Sequence, residues 1–268
     1  MYSLKDTVGY ITPAPVAWGA YSMEPDVYFL LCTFQHMEDT LPPPGVFAPE
    51  VAKLHRSSQL NGQPPQKFGK QLGSRTFHGN VRISHAFVDT WEEYFIKTTR
   101  TLLRQEKHAQ GPNEEIERMA EPFFEKVIPR LLRPLQTGGR SIAPCIIHGD
   151  LWHGNVGTDK KTGRPVIFDP ACFYAHNEYE LGVWSQPWNK INNTYREEYH
   201  KHFPPSEPVE DCDDRSALYG VRVNILDSIL YKDDKTYRTR LIAGMRELVD
   251  KFPGGFEEWE ASPGASKA

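Results

Sequence analysis

The 268-residue chain lacks the features that direct a protein to a membrane, to nucleic acid or to an oxidising compartment. No run approaches the roughly 20 apolar residues of a membrane span, and no basic region followed by an apolar core marks a secretory signal. A net charge of −4 gives no bulk attraction to nucleic acid or anionic lipid. The four cysteines form no Cys-x-x-Cys pair, which predicts reduced thiols without a disulfide framework or zinc knuckle. We therefore expect a cytoplasmic protein with no nucleic-acid or membrane partner.

Polar side chains occur at the ends of two predicted strands between Ile146 and Pro170. Asp150 ends a short β-branched stretch, Asn155 follows five positions later, and Asp169 closes a second apolar strand. A phosphotransferase uses one carboxylate to accept the proton of the attacking hydroxyl. It uses an amide oxygen and a second carboxylate to hold Mg²⁺ against the nucleotide phosphates. The spacing therefore predicts a kinase-type catalytic loop that works with ATP and Mg²⁺.

The same segment allows two other interpretations. An aspartate at the end of a strand often only caps a turn. In a hydrolase, four side chains of this segment could bind Zn²⁺ or Mn²⁺, namely His148, Asp150, His153 and Asp169. However, no further cluster of histidines or carboxylates completes a second metal site, and the two histidines lack the helical register of paired zinc ligands. The complete arrangement favours the kinase interpretation.

The rest of the pattern predicts an α+β protein. Residues Val27 to Phe34 form a nearly continuous apolar, β-prone run, which predicts a buried strand. Residues 62–88 are rich in Gly, Pro, Asn and His without steady periodicity, which predicts a long ordered loop. Asp89 is the predicted N-cap of a helix that ends near Lys107. The remaining predictions are helices at about 47–59 and 113–135, a hairpin of 156–158 with 165–168, mostly helical chain from 178, a solvated linker or helix N-terminus at 210–214, and a disordered tail at 261–268.

Several segments resemble the fructosamine/ketosamine 3-kinase family, which includes the protein-ribulosamine 3-kinases. The segments that carry the resemblance are His148-Gly-Asp-Leu-Trp-His-Gly-Asn155, Phe168-Asp-Pro-Ala-Cys-Phe-Tyr174 and His176-Asn-Glu-Tyr-Glu-Leu181, with weaker support from Pro15 to Gly19, Leu54-His55, Phe68-Gly69 and Trp91 to Phe95. The family is related to the aminoglycoside and choline kinases within the protein-kinase-like fold. The resemblance therefore implies an α+β, protein-kinase-like fold made mostly of the helical C-terminal lobe, with a remnant of the N-terminal β lobe. The implied division is a lobe remnant and hinge at 1–35, a helical catalytic lobe at 36–260 and the tail.

The resemblance also implies a role for each site residue. Asp150 would be the base that faces the sugar hydroxyl, and Asn155 and Asp169 would bind Mg²⁺. The hinge that offers backbone groups to adenine would be Leu31, Cys32, Thr33 and Phe34. His148 and Glu180 would support the loop, and Trp152 would either cover the sugar ring or pack in the core. The implied activity is phosphorylation of the 3-hydroxyl of ribulosamine or fructosamine, on protein lysines or on small molecules, which leads to protein deglycation.

Two parts of a kinase are not evident before Pro13. These are a glycine-rich loop over the phosphates and a strand lysine paired with a helix glutamate. Lys5 falls in what reads as the end of the helix that should carry this glutamate, so we expect Met1 to be an internal methionine of a longer protein. Three interpretations remain, namely a truncated ketosamine 3-kinase, a pseudokinase that binds without transferring phosphate, and a small-molecule kinase for amino sugars or choline. Trp152 and the segment His176 to Leu181 favour the ketosamine interpretation.

Overall fold

The computed structural model describes residues 2–60, 66–70 and 75–262. Its α-helices are α1 (Tyr2–Val8), α2 (Pro44–Leu60), α3 (Trp91–Gln110), α4 (Glu114–Pro122), α5 (Ile128–Leu132), α6 (Glu178–Leu181), α7 (Asn193–His202), α8 (Cys212–Leu230), α9 (Lys235–Lys251) and α10 (Gly255–Glu260). Its strands are β1 (Pro15–Tyr21), β2 (Glu24–Cys32), β3 (Met37–Glu38), β4 (Arg75–His78), β5 (Val81–Ser84), β6 (Cys145–Ile146), β7 (Val156–Asp159), β8 (Pro165–Ile167) and β9 (Tyr174–Ala175). The predicted α+β class is confirmed, as are the hairpin β7–β8 and the helical chain after 178.

The described strands form four small antiparallel sheets rather than one large sheet. The pairs β1–β2, β4–β5 and β6–β9 each form a two-stranded sheet, and β3, β7 and β8 form a three-stranded sheet in that order. Helices supply most of the packing between these sheets. Among the described residues, no helix combines the length and the apolar character that crossing a membrane requires.

The predicted buried strand is β2, and the prediction that it is buried is wrong. Its side chains face solvent, with Tyr28 68%, Leu30 51% and Leu31 53% exposed. A continuous apolar run predicts a strand that is covered on both faces. Here, among the residues that the structure describes, the strand pairs with β1 alone, in a two-stranded sheet. The run therefore forms an exposed apolar surface at this end of the molecule.

The predicted loop at 62–88 is also partly wrong. Residues 61–65 and 71–74 lie outside the described residues, and β4 and β5 pair as a hairpin over 75–84. The hairpin buries Thr76 and His78 from β4 beside the apolar side chains of β5. Thr76 Oγ1 lies 2.8 Å from His85 Nε2, and the Tyr94 hydroxyl lies 2.7 Å from His85 Nδ1. The mixed polar and apolar inner face conceals the two-residue period from sequence analysis.

The first two long helices after this hairpin differ from the predictions in their ends. The N-cap of α3 is Thr90 rather than Asp89, because the Thr90 side chain accepts the N–H of Glu93. The predicted helix at 113–135 begins at the Asn113 cap but changes to a π-helical turn after Pro122 and to a 3₁₀ turn from 133. Proline lacks an N–H donor, which explains the change in hydrogen bonding at this point.

The acidic segment 210–214 lies at the N-terminus of α8, as one of its two predicted alternatives states, but it is not fully solvated. Asp211 is buried and accepts two hydrogen bonds from Arg130, at 2.6 and 2.9 Å. Nearby, the buried guanidinium of Arg215 binds the buried carboxylate of Glu178. Of the predicted tail, residues 263–268 lie outside the described residues. The four cysteines are free thiols, as predicted.

Two apolar clusters meet at the strand that leads into the predicted catalytic loop. The larger cluster is built mainly from α3, the helical segments of 114–135, α8 and α9 and includes Cys145 and Ile147. The second cluster is built around α1, α2 and α7 and includes Ile146, the residue between Cys145 and Ile147 in sequence. Successive side chains of a strand point to opposite faces. The strand is therefore buried on both faces, and its end is held in a fixed position between the two clusters.

Candidate active site

A tight turn at Gly149 brings the chain out of the buried strand. The φ of Gly149 is +84°, in the left-handed region, and a Cβ there would lie 2.6 Å from the carbonyl oxygen of Ala171. Only glycine combines this backbone angle with so close an approach. The turn places Asp150 at the mouth of a cavity, with its side chain 31% exposed.

His148 connects this turn to Phe168, the residue that follows β8. The ring is fully buried, and its Nε2 lies 2.9 Å from the carbonyl oxygen of Phe168. Because a carbonyl only accepts, Nε2 carries the proton, and Nδ1 accepts the N–H of Asp150 at 3.3 Å. Burial lowers the pKa of His148, which favours this neutral form. Both ring nitrogens are thus engaged with the backbone.

Glu180 from α6 holds the same turn from the other side. Its carboxylate accepts the N–H of His148 at 2.5 Å and that of Gly149 at 3.0 Å. The side chain is buried, and Nε2 of His55 lies 3.6 Å from it. Charge-assisted hydrogen bonds to backbone N–H groups are among the stronger contacts in a protein interior. The backbone before Asp150 is therefore fixed by two buried side chains, His148 and Glu180.

We expect the Glu180→Gln variant to lose about 2–3 kcal/mol of unfolding free energy. The carboxylate accepts one N–H on each oxygen, whereas a glutamine turns an NH₂ group toward one of the two donors. Urea unfolding followed by tryptophan fluorescence measures the effect. The matched control is Glu125→Gln, an exposed carboxylate paired with Arg100, which should change stability by less than about 0.5 kcal/mol. Equal stability of the two variants would contradict the structural role of Glu180.

Asn155 and Asp150 are in direct contact. The amide of Asn155 donates to the backbone oxygen of Asp150 at 2.8 Å and to its Oδ2 at 3.2 Å. Asn155 is buried, and the second carboxylate oxygen, Oδ1 of Asp150, lies 3.6 Å from Nδ1 of His78. The amide N–H groups of Asn155 are turned toward Asp150, so its amide oxygen is directed away from that carboxylate.

Asp169 has the one left-handed backbone conformation found at a residue other than glycine in the described part of the chain. Its φ is +60°. Such angles are unfavourable for most side chains and concentrate at functional sites, although Asp and Asn tolerate them best. The carboxylate is exposed, and no hydrogen bond or ion pair joins it to another described residue. The hydrogen bond from Phe168 N–H to the Asn155 carbonyl, at 3.1 Å, ties this position to the loop.

A cavity of about 470 Å³ brings half of the ten predicted site residues together. Five of them line it, namely Asp150, Trp152, Asn155, Asp169 and Glu180. His148 lies behind the loop, and the segment 31–34 is not part of the lining. The cavity therefore collects side chains from the loop, the β8 end and α6, but not the predicted hinge.

Trp152 both lines the cavity and packs against protein atoms. The ring is half-buried, and its centroid lies 6.0 Å from that of Trp188 in an edge-to-face arrangement. A Cβ on Gly154 would lie 2.3 Å from the Trp152 ring, so the ring rests directly on this glycine. Both predicted alternatives for Trp152, sugar contact and packing, are compatible with this position.

The predicted hinge is joined to Ala14, the residue that precedes β1. The N–H of Thr33 donates to the carbonyl oxygen of Ala14 at 2.8 Å, and the N–H of Ala14 donates to Thr33 Oγ1 at 2.9 Å. Cys32 ends β2, whereas Leu31 and Phe34 expose 53% and 81% of their surface. The backbone N–H of Thr33 is therefore engaged with Ala14, just beyond the end of the β1–β2 pair.

The hydrolase alternative gains no support from this geometry. Both ring nitrogens of His148 are engaged with backbone groups, and His153 is engaged with Asn189 through its backbone N–H and its Nδ1. Within residues 2–60, 66–70 and 75–262, no group of three or more His, Cys, Asp or Glu side chains is placed to hold a metal ion.

Among the cavity residues that sequence analysis did not predict are a histidine and a carboxylate, His78 and Asp227. His78 comes from the hairpin that was predicted as a loop, and Asp227 comes from α8. The sequence does contain a signal for Asp227, since it is a single acid within the apolar run Ile225 to Leu230. A buried charge on such a helix face calls for a partner or a function.

Comparison with known proteins gives the family of this chain. A sequence model of the fructosamine kinase family matches residues 1–237. The chain is 28% identical over 179 residues to the chloroplastic protein-ribulosamine 3-kinase of Arabidopsis thaliana, an alignment that covers 63% of this chain and 48% of that protein. The chain thus spans about half the length of this curated relative.

Solved structures show the same fold. The putative fructosamine-3-kinase of Thermobifida fusca superposes with a TM-score of 0.71 at 21% identity, covering 93% of this chain and 77% of that chain. An aminoglycoside phosphotransferase, APH(4)-Ia in a ternary complex with ADP and hygromycin B, superposes with a TM-score of 0.59 at 14% identity, covering 93% of this chain and 80% of that chain. The predicted protein-kinase-like fold is confirmed by these likenesses.

Proposed function

The chain belongs to the fructosamine kinase family, and from that premise we propose that it transfers the γ-phosphoryl group of ATP to the 3-hydroxyl of a ribulosamine or fructosamine. The observation that carries the proposal is the meeting of Asp150, Asn155 and Asp169 in one cavity of about 470 Å³. Family members named for ribulosamine and ketosamine phosphorylation support the substrate class. Glycated proteins and free ketosamines are the proposed partners, and the cytoplasmic location remains a prediction.

In the proposed reaction, Asp150 accepts the proton of the 3-hydroxyl as its oxygen bonds to the γ-phosphorus. The bond from that phosphorus to the bridging oxygen breaks, and ADP leaves. Asn155 holds Oδ2 of Asp150, which leaves Oδ1 as the accepting oxygen. His148 and Glu180 fix the backbone of the turn, so the carboxylate needs little rearrangement to reach the hydroxyl.

The donor set suits Mg²⁺. The amide oxygen of Asn155 and the exposed carboxylate of Asp169 are hard oxygen ligands, and Mg²⁺ binds with one or two carboxylates plus waters and substrate phosphates. The side-chain NH₂ group of Asn155 donates to Asp150, so its side-chain oxygen is left to bind a cation. When bound there, Mg²⁺ would neutralise charge on the nucleotide phosphates. The left-handed backbone at Asp169 supports this role, since such angles concentrate at functional sites and the residue lines the cavity.

We also propose that the adenine side of the nucleotide lies against β1, β2 and the segment Leu31 to Phe34. The connection of β2 to this segment, and its hydrogen bonds with Ala14, support a fixed hinge there. In this proposal residues 1–35 belong to the nucleotide-binding lobe and residues 36–260 form the catalytic lobe.

A phosphotransfer assay tests the function. The chain is incubated with ATP, Mg²⁺ and a blocked fructosyl-lysine or ribulosyl-lysine, and the products are identified by ³¹P NMR and mass spectrometry. We expect ADP and a sugar 3-phosphate in equal amounts. Fructose, choline and an aminoglycoside serve as comparison acceptors. Faster phosphorylation of choline or the aminoglycoside than of both ketosamines would overturn the proposed substrate class.

A binding protein without phosphoryl transfer is the second candidate. In the part of the chain that the structure describes, no lysine or arginine lines the cavity, so no side-chain cation is placed there to hold phosphates. Calorimetric titration with fructosyl-lysine, in the absence and presence of ATP, separates the two candidates. Tight sugar binding without ADP formation would favour the second.

A further inference from the structure

The wall of the cavity opposite the catalytic loop contains a carboxylate that the proposed reaction does not use. This wall is formed by α8 and the residues that follow it, with Val223, Leu226, Asp227, Leu230 and Tyr231 at helical spacing. Four carboxylates line the cavity among the described residues, namely Asp150, Asp169, Glu180 and Asp227. The first three have the roles given above. Asp227 has none.

Asp227 is buried without a full set of partners. The residue is 8% exposed, and its Oδ2 forms no hydrogen bond. Burial, and then the negative charge of Asp150, raise the pKa of Asp227 to about 7, although the Trp188 indole and Arg240 act in the opposite direction. A buried carboxylate without a partner is unfavourable, and a cation beside it removes the penalty. The position is therefore suited to a positively charged ligand.

The surroundings of Asp227 offer further contacts to such a ligand. The Trp188 indole lies beside Asp227 and lowers the pKa of that carboxyl by hydrogen bonding, so this side chain supports the carboxylate. Tyr231 and Tyr237 line the same cavity, and their rings stack with centroids 5.1 Å apart. Aromatic faces attract cations. This wall thus combines an acceptor for an ammonium with aromatic surface.

A ketosamine has the matching groups. Its secondary amine is attached to C1 and is protonated at neutral pH, and the 3-hydroxyl lies two carbons further along the same chain. Asp150 and Asp227 line the same cavity and are near enough for the charge of Asp150 to raise the pKa of Asp227, so one ligand can contact both carboxylates. We propose, building on the proposed function, that Asp227 binds the protonated amine of the ketosamine and so selects ketosamines over neutral ketoses.

The test compares an amine with its neutral counterpart. The substrates are blocked fructosyl-lysine and a fructose 1-ether in which oxygen replaces the amine nitrogen. For the wild-type chain we expect kcat/KM to favour the amine by roughly tenfold or more, as a charged hydrogen bond predicts. In the Asp227→Asn variant the KM for the amine should rise by a similar factor, and the preference should fall close to one. The KM for ATP should not change.

The matched control is Asp213→Asn, which makes the same change on the same helix. The Asp213 side chain is 84% exposed and pairs with Arg196 away from the cavity lining. This variant should retain the preference for the amine. A merely structural role of Asp227 would lower activity on both substrates equally, so an unchanged preference ratio in Asp227→Asn overturns the proposal.

Direct binding separates this proposal from the proposed reaction. Calorimetry with fructosyl-lysine requires no turnover, and we expect roughly tenfold weaker binding to Asp227→Asn than to the wild-type chain. If Asp227→Asn binds fructosyl-lysine more weakly but the wild type transfers no phosphate, the amine site is supported and the kinase function is rejected. Equal phosphorylation of the amine and the ether by the wild type would retain the kinase and reject the amine site.

Discussion

The Asp150→Asn variant should lose about 10²–10⁴-fold in kcat on a ketosamine, the range expected for removal of a general base. Asparagine has nearly the same shape as aspartate. Its side-chain oxygen can still accept the hydrogen bond from the Asn155 amide, so the loop should keep its conformation. What it cannot do is take up the hydroxyl proton. Nucleotide affinity should therefore remain within a factor of about two, since the rate of the chemical step alone is affected. Initial rates and a nucleotide titration measure the two quantities.

Asp159→Asn is the matched control for this experiment. Asp159 accepts hydrogen bonds from residues of its own turn, and its carboxylate lies outside the cavity lining. Asparagine retains an acceptor there, so the variant should show wild-type turnover. A wild-type rate in Asp150→Asn would remove Asp150 from the role of base and require another group to accept the proton.

The Asp169→Asn variant should lose most of the Mg²⁺-dependent part of nucleotide binding. We expect an affinity loss of roughly tenfold or more in the presence of Mg²⁺, because one charged oxygen ligand is replaced by a neutral one. Without Mg²⁺ the variant and the wild type should bind nucleotide equally. Fluorescence titration with an ATP analogue, with and without Mg²⁺, gives both comparisons. Unchanged affinity in Mg²⁺ would exclude Asp169 from the ligands.

The backbone at Asp169 determines which substitution is informative. At a φ of +60°, asparagine is tolerated almost as well as aspartate, whereas alanine adds about 1 kcal/mol of strain. Asp169→Ala therefore combines loss of the ligand with loss of backbone stability. The melting temperature of Asp169→Asn should match that of the wild type, and that of Asp169→Ala should fall. If both variants lose the same Mg²⁺-dependent part of nucleotide affinity relative to the wild type, the loss is due to the missing carboxylate.

The segment that carries the chemistry could be predicted because its signals are local. Gly149, Asp150, Asn155 and Asp169 lie within a short stretch in which strand, turn and hairpin each have a clear sequence pattern. The pairing of β7 with β8 follows from one turn. By contrast, the binding of the loop by Glu180 depends on where α6 packs, and the sequence pattern alone does not show which backbone groups it reaches.

The features that were missed depend on contacts between distant parts of the chain. His78 and Asp150 are far apart in sequence and meet only because the β4–β5 hairpin folds over the cavity. Asp227 likewise lines the cavity only because α8 packs beside the catalytic loop in the folded chain. The exposure of β2 has a similar origin, since an apolar run does not specify how many layers will cover it.

The two sides of the cavity are held in place by different contacts. The catalytic loop is held through its backbone by Glu180, whereas the opposite wall consists of side chains repeated along α8. Replacing wall residues does not remove a hydrogen bond that positions Asp150. Directed evolution of substrate range should therefore concentrate a combinatorial library on positions 223, 226, 227, 230 and 231 and leave the loop unchanged. Acceptor preference and catalytic competence are then separately evolvable traits of one scaffold.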